Sequence, residues 1–177
     1  MKKLLLVVDM QNDFVTGSLG SEMAQAIIPA VQERIMEYER LGSTVIYTMD
    51  THGNDYLSTA EGKKLPVKHC IEGTDGWLII PQLNVEVDDG KSWTYRKYTF
   101  GSLALADMVA ESGFDEIEIC GLCTDICVVT NALILRTRMP DVRITVRSNT
   151  CAGVTEESHK AALLTMKMCQ IDVVDVD

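Results

Sequence analysis

Basic residues are scarce in this chain: 16 lysines and arginines stand against 26 aspartates and glutamates, a formal net charge of −10. Binding to nucleic acid or to an anionic membrane rests on lysine and arginine neutralising phosphates, so neither is expected as a partner. Long apolar runs are also lacking. None approaches the roughly 18 to 20 residues of a membrane span, and the run that follows Met1-Lys2-Lys3 is too short for a signal peptide. A spaced cysteine framework is missing as well. The 6 cysteines are irregularly placed and mostly lie inside apolar runs, as reduced thiols do, which points to a cytoplasmic protein. Internal repeats and low-complexity segments are not found.

What is present suits a buried core. Of the 177 residues 46% are apolar, and residues 1–177 read as a single domain without an evident linker. Leu4 to Val8 is an unbroken apolar run, the pattern of a parallel strand buried on both faces. A helical stripe follows at Ala24, Ile27, Ile28, Val31 and Ile35, closed near Gly42, and then a β-branched strand from Thr44 to Met49. Asp50 to Gly76 reads as one long loop, and such loops tend to be functional. A third strand is expected near Lys91–Tyr95 and a helix over Ser102–Ser112. Then come a strand at Glu116–Cys120, a helix at Asp125–Arg138, a strand at Val142–Val146, a helix at Glu156–Met168 and a strand at Ile171–Val174. This alternation predicts an α/β fold, a three-layer sandwich with an open, mainly parallel sheet and helices on both faces.

In such sheets ligands lie beyond the carboxyl ends of the strands. The sequence puts Asp9, Asp50 with His52, Gly121 to Cys127, and Asn149 with Thr150 there. No glycine-rich turn follows the first strand, so a dinucleotide cofactor is not expected. Gly121-Leu122-Cys123-Thr124-Asp125-Ile126-Cys127-Val128 joins a strand to a helix. A helix N-terminus favours the thiolate, which makes Cys127 the candidate nucleophile, with a pKa expected below that of a free thiol.

Three blocks together resemble the isochorismatase-like cysteine hydrolases, which include nicotinamidases. They are Val8-Asp9-Met10-Gln11-Asn12-Asp13-Phe14, Lys97-Tyr98-Thr99-Phe100 and the turn around Cys127. The resemblance implies that Cys127 attacks a carbonyl carbon, that Asp9 carries the proton and that Lys97 holds the charges. It also implies an oxyanion hole from the amides of Cys123 and Cys127, a cis peptide at Leu122-Cys123, and a homo-oligomer. The lysine is expected to depress the Asp9 pKa. The function so implied is hydrolysis of an amide, ureido or carbamoyl bond of a small molecule through a thioester.

Each residue has a plainer reading. Asp9 would serve to cap a turn, Lys97 to solvate a surface, and Cys120 and Cys123 to fill core and turn. The spacing Cys120, Cys123, Cys127 also admits a thiol-based metal site or redox sensor, and a noncatalytic member of the fold is a third class. For the substrate, Phe14 and Leu122 are the candidate pocket residues. Leu65-Pro66-Val67-Lys68 precedes His69 where nicotinamidases carry a tryptophan, and Trp77 or Trp93 would have to substitute. Asp50, His52 and His69 resemble part of the nicotinamidase metal site, suited to zinc, iron or manganese. The further histidine of those sites is absent, position 58 being serine. The expectation is therefore a weak or absent metal, with Asp9, Lys97 and Cys127 acting alone and no organic cofactor.

Overall fold

A computed structural model describes residues 1–85 and 93–175. Among these described residues six strands form one sheet, each pair parallel: β1 (Lys3–Val8), β2 (Thr44–Asp50), β3 (Trp93–Lys97), β4 (Glu116–Leu122), β5 (Arg143–Ala152) and β6 (Asp172–Val174). Their order is β3-β2-β1-β4-β5-β6, so the chain builds outward from β1 in one direction and then from β4 in the other. The order reverses between β1 and β4, where the crevice of an open α/β sheet opens.

The unbroken apolar run of β1 serves both faces. Leu4, Leu6 and Val8 join one core with α5 (Leu103–Glu111), α6 (Val129–Arg138) and α7 (Glu156–Met168). Leu5 and Val7 join another with α2 (Glu22–Ala26) and α3 (Ile28–Arg40), which gives the expected three layers. Each of these side chains is fully buried, and burying one stabilises the fold by about 1.5–3 kcal/mol. Among the described residues no helix is long and apolar enough to cross a membrane.

Several elements differ from the expectation. The single stripe from Ala24 to Ile35 is two helices that meet at Ile27, because Pro29 has no N–H to donate and suits only the first turn of a new helix. The loop 50–76 is not structureless: it contains α4 (Ala60–Lys64), started by the Thr59 side chain accepting from Gly62 N. A one-turn helix, α1 (Asn12–Val15), follows β1. The third strand ends at Lys97, while Lys91 and Ser92 of its expected span lie outside the described residues. β5 continues to Ala152 after a register shift against β4, so Asn149 and Thr150 lie within the strand and not at its end.

Candidate active site

The carboxyl ends of β1 to β4 bring the expected residues together. Asp9 leaves β1 with φ +49°, a left-handed conformation that aspartate tolerates better than most residues. Its amide donates to Thr48 Oγ1 at 3.2 Å, and that hydroxyl donates back to Asp9 Oδ1 at 2.6 Å. β2 and β3 pair with Asp50 opposite Lys97. From there the buried Lys97 Nζ stands 2.6 Å from Asp9 Oδ2, 3.1 Å from Asp50 Oδ1 and 3.4 Å from Cys127 Sγ. Gln11 fixes the neighbouring strand end: its Oε1 accepts from Asp50 N at 2.7 Å, and its Nε2 donates to Asp50 O at 2.9 Å.

Cys127 arrives by a narrow passage. At Gly121 the backbone has φ +110°, and a Cβ there would lie 2.1 Å from Val8 O, so only glycine lets β4 run this close to β1. The Leu122-Cys123 peptide is cis. A π-helical turn, Thr124–Val128, then carries Cys127 and leads into α6, so the thiol precedes the regular helix instead of lying in its first turn.

The electrostatics differ from the expected activated thiolate. Burial, and then the Asp9 charge, push the Cys127 thiol well above its ordinary range and outweigh the pull of Lys97. Burial likewise raises the Asp9 carboxyl above 3.8 despite Lys97, which acts as expected but does not prevail. Burial opposes the charge on Lys97, yet Asp9, Cys127 and Asp50 together hold it well above 10.5. These shifts favour an ammonium on Lys97, between Asp9 and Asp50, beside a protonated Cys127 thiol. Burial and Asp125 push Cys123 up to about 12, and burial pushes Cys120 up as well, so neither is a reactive thiolate.

The ligand set is fuller than three residues. Asp50, His52, Glu61 and His69 offer ligand atoms that all lie within 4.8 Å of one another. His52 Nε2 is 2.9 Å from Asp50 Oδ2, and His69 Nε2 is 3.6 Å from Glu61 Oε1. His69 Nδ1 bonds Val67 O at 2.8 Å, which turns Nε2 toward the cluster, the usual second bond of a metal-ligating histidine. Two imidazoles and two carboxylates suit a divalent transition ion. Beside the three residues that the resemblance implied, Glu61 of α4 offers a fourth ligand atom. No cysteine belongs to the cluster.

Members of both groups, Cys127 from one and Asp50, Glu61 and His69 from the other, line one cavity of about 640 Å³. Cys123 and Cys127 form one wall with Leu122, Ile126 and Val154, while Asp50, Glu61 and His69 form another, with Phe14, Leu65 and Phe100 around them. Phe14 and Leu122 are therefore pocket residues in position, and the Phe14 ring stands 5.4 Å from that of His69. Trp77 and Trp93 do not line this cavity: Trp77 is buried and donates to Thr51 Oγ1, and Trp93 is exposed on β3.

The sequence matches the isochorismatase domain family over residues 3–177. The chain belongs to this family. It is 27% identical to an uncharacterised isochorismatase family protein of Bacillus subtilis, over 92% of this chain and 93% of that one. It is 25% identical to a nicotinamidase/pyrazinamidase of Mycobacterium tuberculosis, over 97% of this chain and 98% of that one. Its fold superposes on the crystal structure of a pyrazinamidase of Pyrococcus horikoshii in complex with zinc with a TM-score of 0.85 and 26% identity, covering 99% of this chain and all of the other (100%).

Within this isochorismatase-like frame the sequence reading missed Glu61, Thr48, Gln11 and His159. Glu61 had a local signal, a Thr59-Ala60-Glu61 helix start inside the supposed loop. Thr48 had none, being one more β-branched residue in a strand. Gln11 and His159 act through partners far along the chain.

Proposed function

We propose that this chain hydrolyses the amide, ureido or carbamoyl bond of a small molecule through a thioester on Cys127. As an isochorismatase-family chain with nicotinamidase relatives, it is a hydrolase of carbon–nitrogen bonds other than peptide bonds. The observation that carries the finer reading is the buried Lys97 ammonium, within 3.4 Å of Asp9, Asp50 and Cys127, the last two of which line the cavity.

Asp9 Oδ2 pairs with Lys97 Nζ at 2.6 Å and the same ammonium lies 3.4 Å from Cys127 Sγ, so the carboxyl stands beside the thiol whose proton it takes. A carboxyl with a raised pKa is the better base for a thiol. As the proton leaves, Sγ attacks the carbonyl carbon, and the oxygen takes up the negative charge between the amides of Cys123 and Cys127. One such donor lowers the barrier by about 3 kcal/mol. Asp9 then gives the proton to the leaving nitrogen, the carbon–nitrogen bond breaks, and ammonia or an amine departs. Water, deprotonated by Asp9, attacks the thioester; the carbon–sulfur bond breaks and the acid product leaves with Cys127 reprotonated. Lys97 keeps its proton throughout and offsets the charge that passes between Asp9 and sulfur. Phe14 and Leu122 hold the acyl part of the substrate.

Asp50, His52, Glu61 and His69 would hold zinc, iron or manganese, which when bound supplies a Lewis acid that orients a polar atom of the substrate. No organic cofactor enters this reading.

Ammonia release from nicotinamide, pyrazinamide and small aliphatic and ureido amides tests it. At least one should be hydrolysed, and Cys127→Ala should lose about a thousandfold or more of that rate, whereas Cys123→Ala stays within about tenfold. An active Cys127→Ala protein, or no turnover of any amide or ureide, would overturn it.

A further inference from the structure

The turn that carries the nucleophile is tied from outside the triad. Thr124, the first residue of the π turn, is fully buried, and its Oγ1 lies 2.8 Å from Nδ1 of His159 on α7. The next residue repeats the tie, since both oxygens of Asp125 accept from Val154 N at 3.2 and 3.1 Å. Gly153 makes the approach possible: a Cβ there would lie 2.9 Å from His159 Cβ and 3.0 Å from its backbone. The loop that presses on His159 is also a cavity wall, because Gly153 and Val154 face the same space as Cys123 and Cys127. Burial keeps the His159 imidazole below its ordinary 6.5, with Asp125 and Glu156 opposing and Lys160 adding to the shift. The ring is then neutral at pH 7, and a nitrogen without a proton is available to accept from a hydroxyl.

We propose that His159 is a positioning residue for the nucleophile: through its hydrogen bond to Thr124 it fixes the turn on which the Cys123 and Cys127 amides and the Cys127 thiol are mounted. His159 is not among the residues that line the cavity, so it acts only through Thr124. Single π-helical turns are rare and frequently mark functional sites, and here a side-chain anchor holds the first residue of the turn. Displacing reacting atoms by about 1 Å can cost a hundredfold in rate, so a single anchor of this kind has a kinetic consequence.

The inference rests on Cys127 being the nucleophile, and its test does not depend on a known substrate. Three variants are compared, His159→Leu, His159→Asn and Thr124→Val. Iodoacetamide labelling of Cys127, followed by mass spectrometry, should slow by about tenfold in His159→Leu and in Thr124→Val. His159→Asn should restore most of the rate, because the asparagine amide reaches the position of Nδ1. The double variant Thr124→Val/His159→Leu should be no slower than either single one, as two halves of one interaction require. With any amide the protein turns over, the loss should fall on kcat with KM nearly unchanged. If the wild-type protein hydrolyses no amide, the proposed activity fails while the labelling result still stands or falls by itself. Should His159→Leu not fold, Thr124→Val makes the same test from the other partner. Unchanged labelling in soluble Thr124→Val, or a folded His159→Asn as slow as His159→Leu, would sink the proposal.

Discussion

Asp9 has two partners with opposite demands. Lys97 favours its charged form and burial favours the neutral one, and burial prevails. The Thr48 hydroxyl, 2.6 Å from Oδ1, adds to the lysine's side. Because the proposed base must start as a carboxylate, activity should fall on the acid side below an apparent pKa above 3.8. In Thr48→Val the stabilising bond is gone, the Asp9 pKa rises further, and the acid limb should move to higher pH. A pH profile of kcat/KM for both proteins checks this, and an unmoved limb would count against Asp9 as the titrating base. The same sign governs stability. A carboxyl whose folded pKa exceeds its unfolded one favours folding at low pH, and that contribution is lost as pH rises through the folded value.

At this scale the sequence was informative where chemistry and motif coincide. Asp9, Lys97 and Cys127 meet as the three blocks implied. The direction of the thiol shift was not legible, because it follows from burial, and burial is a property of the assembled sheet.

At the scale of elements, the least legible stretch is 50–76. Its weak periodicity hides α4, whose Gly62 packs under Tyr56 so tightly that a Cβ would lie 2.1 Å from Tyr56 O. That packing holds Glu61 against His52 and His69. Asp13 Oδ2 accepts from Cys70 N at 2.8 Å and so fixes the residue after His69. A cluster arranged this way should hold about one equivalent of transition metal, and Glu61→Ala should lower metal content and affinity with little change in fold. Elemental analysis of protein purified without chelator, together with circular dichroism, decides it. Metal-free wild-type protein after incubation with zinc, iron or manganese would refute it. β5 was shortened in the sequence reading for a related reason: Arg147-Ser148-Asn149-Thr150 is polar, carries no alternating pattern and spans the register shift, and pairing with β4 resumes only at Cys151 and Ala152.

For the whole molecule, the strand order was not legible, although the layers were. Alternating strands and helices imply a parallel sheet, but the reversal at β1 and β4 depends on which strand edges find each other. The expected self-association belongs to this scale too. Tyr98, Phe100, Leu103 and Val154 are exposed at 67%, 44%, 73% and 61%, apolar surface that a second copy of the chain would cover on association. Light scattering at micromolar concentration should give a mass at least twice the 19.6 kDa of one chain, and a value near 19.6 kDa would reject it.

Lys97 sits at the end of β3, and among the described residues β3 is the outermost strand of the sheet, paired on one side to β2. An edge strand can detach in a local opening that leaves both cores closed. Such an opening would carry the ammonium away from two carboxylates and the thiol at once. Inactivation and unfolding should then be separate events, with heating or mild denaturant expected to silence the enzyme while its spectroscopic signature of folding is still intact.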